Sequence, residues 1–178
     1  VTLAAGTHAI VPRFDVSTVL GFIEQHAVTH TLLVPTMINM LATSGRIQDF
    51  DVSSLKRMLY GASPMPEAVL VNAMAQMPSV SFGQGYGQTE ASPIITALAP
   101  EYHVPGGSKL RSAGRAALGV EVVIMDKDDK ELPRGEVGEI CARGLNVMLG
   151  YWGMESATNE ALRSGWLHTG DLGYMDDE

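Results

Sequence analysis

The sequence has 178 residues, 46% of them hydrophobic and 18% charged, enough for one ordinary globular domain or one domain with a lobe of a second. A formal net charge of −8 excludes an extended nucleic-acid or anionic-membrane surface, which would be built from Lys and Arg, but leaves room for one anionic ligand held by a few local donors. No run approaches the roughly 20 apolar residues that span a bilayer, and no basic segment precedes an apolar one as in a signal peptide.

The first predicted element is a helix, with Asp15 as its cap and Val16, Val19, Leu20, Ile23 and Ala27 recurring at helical spacing. Thr31-Leu32-Leu33-Val34, closed by Pro35, has the pattern of a buried strand, and a second helix is expected over 36–43, ending near Gly45. Arg57-Met58-Leu59-Tyr60 reads as a strand running into the turn Gly61-Ala62-Ser63-Pro64. Pro66 suits the first turn of a third helix with an apolar face of Val69, Leu70, Ala73, Met74 and Met77, and Val80-Ser81-Phe82 is another short strand.

Helices alternating with short buried strands predict an α/β fold, a parallel sheet with crossover helices. After about Pro105 the pattern changes. Strands over 120–126 and 136–143 are separated by turn-rich sequence with no room for a crossover helix, and the charged run 126–131 reads as a solvated hairpin tip. The expected organisation is an α/β lobe over 1–110 and a β-rich lobe over 111–178. Opening at Val1 without Met and stopping at Asp176-Asp177-Glu178, the sequence is expected to be an internal piece of a longer protein.

Cys141 is the only cysteine, so no intramolecular disulfide can form. Its place in Glu139-Ile140-Cys141-Ala142 suits a buried, inert thiol and points to a reducing compartment, the cytoplasm. His8, His26, His30 and His103 show no metal-ligand spacing, and Trp152 and Trp166 are expected to anchor the core.

The segment Phe82-Gly83-Gln84-Gly85-Tyr86-Gly87-Gln88-Thr89-Glu90 carries the most chemistry. Glycines at alternate positions let a backbone approach a ligand closely, and an aromatic between them can offer its face to a base. Thr and Glu add a hydroxyl and a metal-binding carboxylate. The spacing is neither the Gly-x-Gly-x-x-Gly fingerprint nor a Walker loop, and a plain Gly-rich turn after a strand would also explain it. In Gly165-Trp166-Leu167-His168-Thr169-Gly170-Asp171-Leu172-Gly173-Tyr174, an Asp held by glycines after a strand can accept from two neighbouring hydroxyls, as a ribose diol presents them. A turn Asp satisfying its own backbone is the other reading.

Together these segments resemble the adenylate-forming superfamily of acyl-CoA synthetases, luciferases and peptide-synthetase adenylation domains. Gly85-Tyr86-Gly87-Gln88-Thr89-Glu90 is similar to the Tyr-Gly-x-Thr-Glu motif, and Trp166 to Asp171 to Trp-x-x-Thr-Gly-Asp. Gly135-Glu136-Val137-Gly138-Glu139-Ile140, Arg143-Gly144 and Leu149-Gly150-Tyr151-Trp152 resemble the segment between them, and Gly61-Ala62-Ser63-Pro64 the small-residue adenine loop upstream.

The resemblance implies a mononucleotide pocket in the large domain of such an enzyme. Tyr86 would stack on adenine between Gly85 and Gly87, and Gly61, Ala62 and Ser63 would line the adenine and the start of the acyl channel. Thr89 would hydrogen-bond the α-phosphate, Glu90 would hold Mg²⁺ by oxygen ligation, and Asp171 would take the ribose hydroxyls. Thr89 and Glu90 are thus the implied catalytic residues, while His168 is assigned a structural role. The implied reaction joins a fatty or aryl carboxylic acid to the AMP of ATP, releasing pyrophosphate, and CoA then displaces AMP.

Gln88 and Leu167-His168 differ from the Pro and Tyr-Arg of peptide-synthetase domains and favour the acid–CoA ligase branch, although Phe14-Asp15-Val16-Ser17 looks like an early peptide-synthetase element. A carrier-loading enzyme and a non-catalytic nucleotide-binding module are the alternatives. The family's phosphate loop and the C-terminal domain with its catalytic Lys would lie outside the sequence. The chain alone is therefore expected to be inactive, and to self-associate through unpaired sheet edges.

Overall fold

The computed structural model describes residues 2–178, which divide into two compact units. The first holds residues up to Gln84 together with Leu98–Ser112, and the second holds Gly85–Ala97 with Ala113–Glu178. A five-stranded sheet runs in the order β1-β2-β3-β4-β5 and a three-stranded sheet in the order β6-β7-β8, numbered along the chain.

In the first unit, helix α1 spans Val16–His26. The Asp15 carboxylate caps it by accepting from the Thr18 N–H at 2.9 Å and the Thr18 hydroxyl at 3.0 Å, bonds that hold its carboxyl below the usual range. Ala27, left-handed at φ 48°, ends the helix. Strand β1 (His30–Leu33) pairs in parallel with β2 (Arg57–Gly61), in register from His30↔Arg57 to Leu33↔Tyr60. The crossover contains α2 (Pro35–Thr43), opened by a proline in its first turn, where a missing N–H costs nothing. Helix α3 (Glu67–Gln76) follows Pro66 and leads to β3 (Ser81–Tyr86).

The core is made of Leu20, Ile38, Leu41, Met58, Tyr60, Leu70 and Phe82, each no more than 2% exposed. Burial pushes the Tyr60 phenol up to about 12, so it stays a donor, 3.1 Å from His103 Nε2. His103 Nδ1 donates to the Ala99 carbonyl at 3.0 Å, and burial lowers the pKa of this ring. Both polar groups are thereby satisfied inside the core. Leu70 is fully buried in this core, so Leu70→Ala in the full-length protein is expected to cost about 2–5 kcal/mol, read as a lower denaturation midpoint.

Thr96 and Ala97 of β4 (Thr96–Leu98), in the second unit, pair antiparallel with β5 (Arg115–Ala116). The meander of β6 (Val120–Met125), β7 (Gly138–Gly144) and β8 (Leu167–Gly173) is antiparallel throughout. Its hairpin tip is polar because Asp126 supports the turn, accepting from the N–H groups of Asp128 and Lys130 at 2.9 Å. Ala91, Ile95, Ala142 and Leu167 form the small buried core.

The α/β class holds, with a parallel pair in one sheet and an antiparallel second sheet. Four details differ from the sequence reading. Gly85–Ala97, assigned there to the α/β lobe, belongs to the second unit, because Ala91 and Ile95 pack with Ala142 and Leu167. The Gly-rich segment is extended strand as far as Tyr86, so Gly83 and Gly85 lie in a strand and only Gly87 stands in the turn beyond it. Trp152, expected in the core, is fully exposed, while Trp166 is half-buried beneath the Arg143 guanidinium, 4.3 Å from its ring centroid. Helix α4 (Glu155–Ala161) was not foreseen, for it buries no residue and so lacks an apolar stripe. Among the described residues, no helix is long and apolar enough to cross a membrane.

Candidate functional site

The candidate site residues of the second unit come from two chain segments. Strand β3 ends at Tyr86, whose carbonyl accepts from the Ile95 N–H at 2.8 Å. The chain then doubles back. A Cβ at Gly87 would run into the Pro93 carbonyl, so only glycine fits this close approach. A single 3-10 turn, Thr89–Ala91, follows and ends at Ser92, left-handed at φ 51°. It leaves Thr89 exposed and Glu90 half-buried.

The return segment between β7 and α4 holds this turn in place. Asn146 Nδ2 donates to the Ala91 and Ile94 carbonyls at 2.8 and 2.9 Å, and the Met148 N–H donates to the Glu90 carbonyl at 2.7 Å. The Tyr151 hydroxyl donates to Glu90 Oε1 at 2.7 Å. Thr89 and Glu90 present oxygen atoms only, a set that would suit a hard cation such as Mg²⁺.

Asp171 lies inside β8, whereas the sequence reading put it after a strand. Pairing with β7 shifts register between Glu139 and Cys141, and the intervening residues are held by side chains. The Thr169 hydroxyl donates to the Ile140 carbonyl at 2.7 Å and accepts from the Asp171 N–H at 3.1 Å. The Gly170 N–H, on a residue at φ 75°, donates to Glu139 Oε1 at 2.9 Å. Asp171 is thus aimed outward and left exposed.

The Tyr86 hydroxyl donates to Asp171 Oδ2 at 2.8 Å, across 85 positions of sequence. Burial, reinforced by the Asp171 carboxylate, pushes the Tyr86 phenol up to about 12, so it remains a donor at any physiological pH. The second unit therefore joins four of the predicted residues into two pairs, Tyr86 with Asp171 and Thr89 beside Glu90. Gly61, Ala62 and Ser63 belong to the first unit: Gly61 ends β2, Ala62 is left-handed at φ 65°, and Ser63 is exposed. Gly85 lies in β3, where a Cβ would come within 2.8 Å of the Ile94 side chain.

Behind Asp171 lies a network that motif reading did not assign. His168 Nδ1 is 2.8 Å from Glu139 Oε2 and 3.4 Å from Cys141 Sγ. Arg163 pairs with Glu139 at 3.1 Å and Asp129 at 3.0 Å. Burial opposes ionisation of Glu139, but the bonds from His168 and Gly170 outweigh it and lower its pKa. Burial, helped by the nearby Glu139, pushes the Cys141 thiol up to about 12, which keeps it protonated and inert. The Glu139, Cys141 and His168 donor atoms lie within 4.8 Å of one another, yet the Arg163 guanidinium already neutralises this cluster. Its visible role is to support the Thr169–Asp171 backbone. No local pattern marks Asp129 or Arg163, since their partners are 34 and 24 positions away in sequence.

The family of AMP-binding enzymes matches residues 1–152. The chain belongs to that family. Among its AMP-binding relatives, the fatty acid–[acyl-carrier-protein] ligase ScoC of Streptomyces coeruleorubidus is 37% identical over 98% of the chain and 34% of its own length. The 4-coumarate–CoA ligase 5 of Oryza sativa subsp. japonica is 36% identical over 98% of the chain and 33% of its own length. The structure of the amide bond synthetase McbA from Marinactinospora thermotolerans superposes with a TM-score of 0.87 at 37% identity, covering 94% of this chain and 33% of that one. The chain thus spans about a third of the length of these proteins.

Proposed function

We propose that the full-length AMP-binding enzyme containing this chain is an acid–CoA ligase. One carboxylate oxygen attacks the α-phosphorus of ATP and pyrophosphate leaves with the electrons of the broken P–O bond. The sulfur of CoA then attacks the acyl carbon, and AMP leaves as the thiol proton is lost to solvent. The bond between Tyr86 and Asp171 carries this reading. A nucleoside offers a flat base and, one glycosidic bond away, a pair of adjacent hydroxyls. An aromatic ring tethered by its own hydroxyl to an outward carboxylate answers both features at that spacing. Because Tyr86 is the donor, Asp171 keeps lone pairs for ribose.

In this reading the Thr89 hydroxyl donates to the α-phosphate. Glu90 would hold Mg²⁺, which when bound neutralises charge on the phosphates. The chain's own contribution is positioning: base and ribose fixed by Tyr86 and Asp171, with the α-phosphate placed near Thr89 for in-line attack.

Purified full-length enzyme is expected to exchange pyrophosphate into ATP only when a carboxylic acid is added, and to form a thioester with free CoA. No exchange with or without acid, in an enzyme that still binds ATP, would reject the ligase reading and leave a nucleotide-binding module. Likeness to the acyl-carrier-protein ligase ScoC favours a second reading, in which the accepting thiol sits on a carrier protein. Exchange with no CoA thioester, but with loading of a phosphopantetheinylated carrier, would select it. Likeness to a 4-coumarate ligase and a fatty-acid ligase supports aryl and fatty acids alike as substrates.

A further inference from the structure

We propose that Tyr151 is a positioning residue whose hydroxyl fixes the Glu90 carboxylate in its metal-holding orientation. This rests on the reading of Glu90 as a metal ligand. Glu90 is gripped twice by one downstream segment, at its carbonyl by the Met148 N–H and at Oε1 by the Tyr151 hydroxyl, both at 2.7 Å. Tyr151 is itself anchored. Its N–H donates to Thr158 Oγ1 at 2.9 Å, and that hydroxyl donates to the Met154 carbonyl at 2.9 Å, tying the residue to the first turn of α4. A Cβ at Gly150 would come within 2.7 Å of Thr158 Cγ2, so the chain enters Tyr151 along a path that only glycine fits.

The chemistry of the contact suits this role. Lys or Arg at the same place would also orient the carboxylate, but its positive charge would compete with a cation for it. A neutral phenol fixes direction without that competition, and one bond to Oε1 leaves Oε2 and a second lone pair on Oε1 to bind. A surface tyrosine that merely packs would need no anchored main chain and no contact with this one carboxylate.

The test uses the full-length enzyme and acid-dependent ATP–pyrophosphate exchange titrated with Mg²⁺. Tyr151→Phe keeps the ring and removes the hydroxyl. The Mg²⁺ concentration for half-maximal exchange is expected to rise about three- to tenfold, the worth of one hydrogen bond, with an unchanged melting temperature. Thr158→Val, which loosens the anchor, is expected to shift it in the same direction by less. In a Glu90→Gln background, Tyr151→Phe should add no more than about twofold, since the two act as one unit. An unchanged Mg²⁺ demand in Tyr151→Phe, while Glu90→Gln raises it, overturns the positioning role alone. A lower melting temperature with equal loss at limiting and saturating Mg²⁺ also overturns it, in favour of packing. An unchanged demand in Glu90→Gln overturns the metal-ligand reading and the proposal with it.

Discussion

Glu90→Gln in the full-length enzyme is expected to lower kcat by roughly a hundredfold or more while raising the Mg²⁺ concentration needed for half-maximal activity. The amide is nearly isosteric and can still accept from the Tyr151 hydroxyl at the Oε1 position, so the turn over Thr89–Ala91 should stay as it is. What is lost is one formal negative charge on the proposed cation ligand. A metal that clamps transferring phosphate contributes several kcal/mol, and its grip matters most as charge redistributes in the transition state, so the loss falls on kcat more than on KM. Initial rates at several Mg²⁺ concentrations check this. A Glu90→Gln enzyme as active as wild type at limiting Mg²⁺ would remove Glu90 from the metal site.

The sequence made the helices and strands of the first unit legible because each carries a local signal. Asp15 stands at a cap, Pro35 and Pro66 stand at helix starts, and Leu70 and Ala73 recur on one face. The candidate site residues came by a different route, as short motifs resembling a family. Their physical arrangement was not. Nothing near Tyr86 indicates that its hydroxyl bonds a residue 85 positions away, and nothing near Glu90 points to Tyr151, 61 positions on. Such pairs form by tertiary packing, which leaves no periodicity in sequence. The same cause explains α4, whose positions follow no hydrophobic repeat, and the membership of Gly85–Ala97 in the second unit. Glycine patterning was ambiguous for another reason: alternate glycines are also explained by a turn after a strand, yet the backbone from Gly83 to Gly85 is extended strand. Gly83 is buried there, and a Cβ would come within 3.0 Å of the Leu59 side chain, so close packing accounts for the missing side chain at that position.

Asp171→Ala in the full-length enzyme, assayed with ATP and with 2′,3′-dideoxy-ATP, tests the proposed nucleoside site most directly. A carboxylate accepting from both ribose hydroxyls makes two charge-assisted bonds, each worth on the order of 1.5–3 kcal/mol before compensation by water. The ATP KM should therefore rise by roughly one to two powers of ten, 1.4 kcal/mol being about tenfold. The substitution also strands the Tyr86 hydroxyl, which donates to Asp171 in the wild type, and that part of the damage falls on both nucleotides alike. The ribose contribution is the remainder. If Asp171 binds the diol, the fold-loss with dideoxy-ATP, which has no diol to lose, is several times smaller than with ATP. Equal fold-losses for the two nucleotides, accompanied by a lower melting temperature, would instead make Asp171 a residue that only supports β8 and Tyr86, and would contradict the nucleoside site.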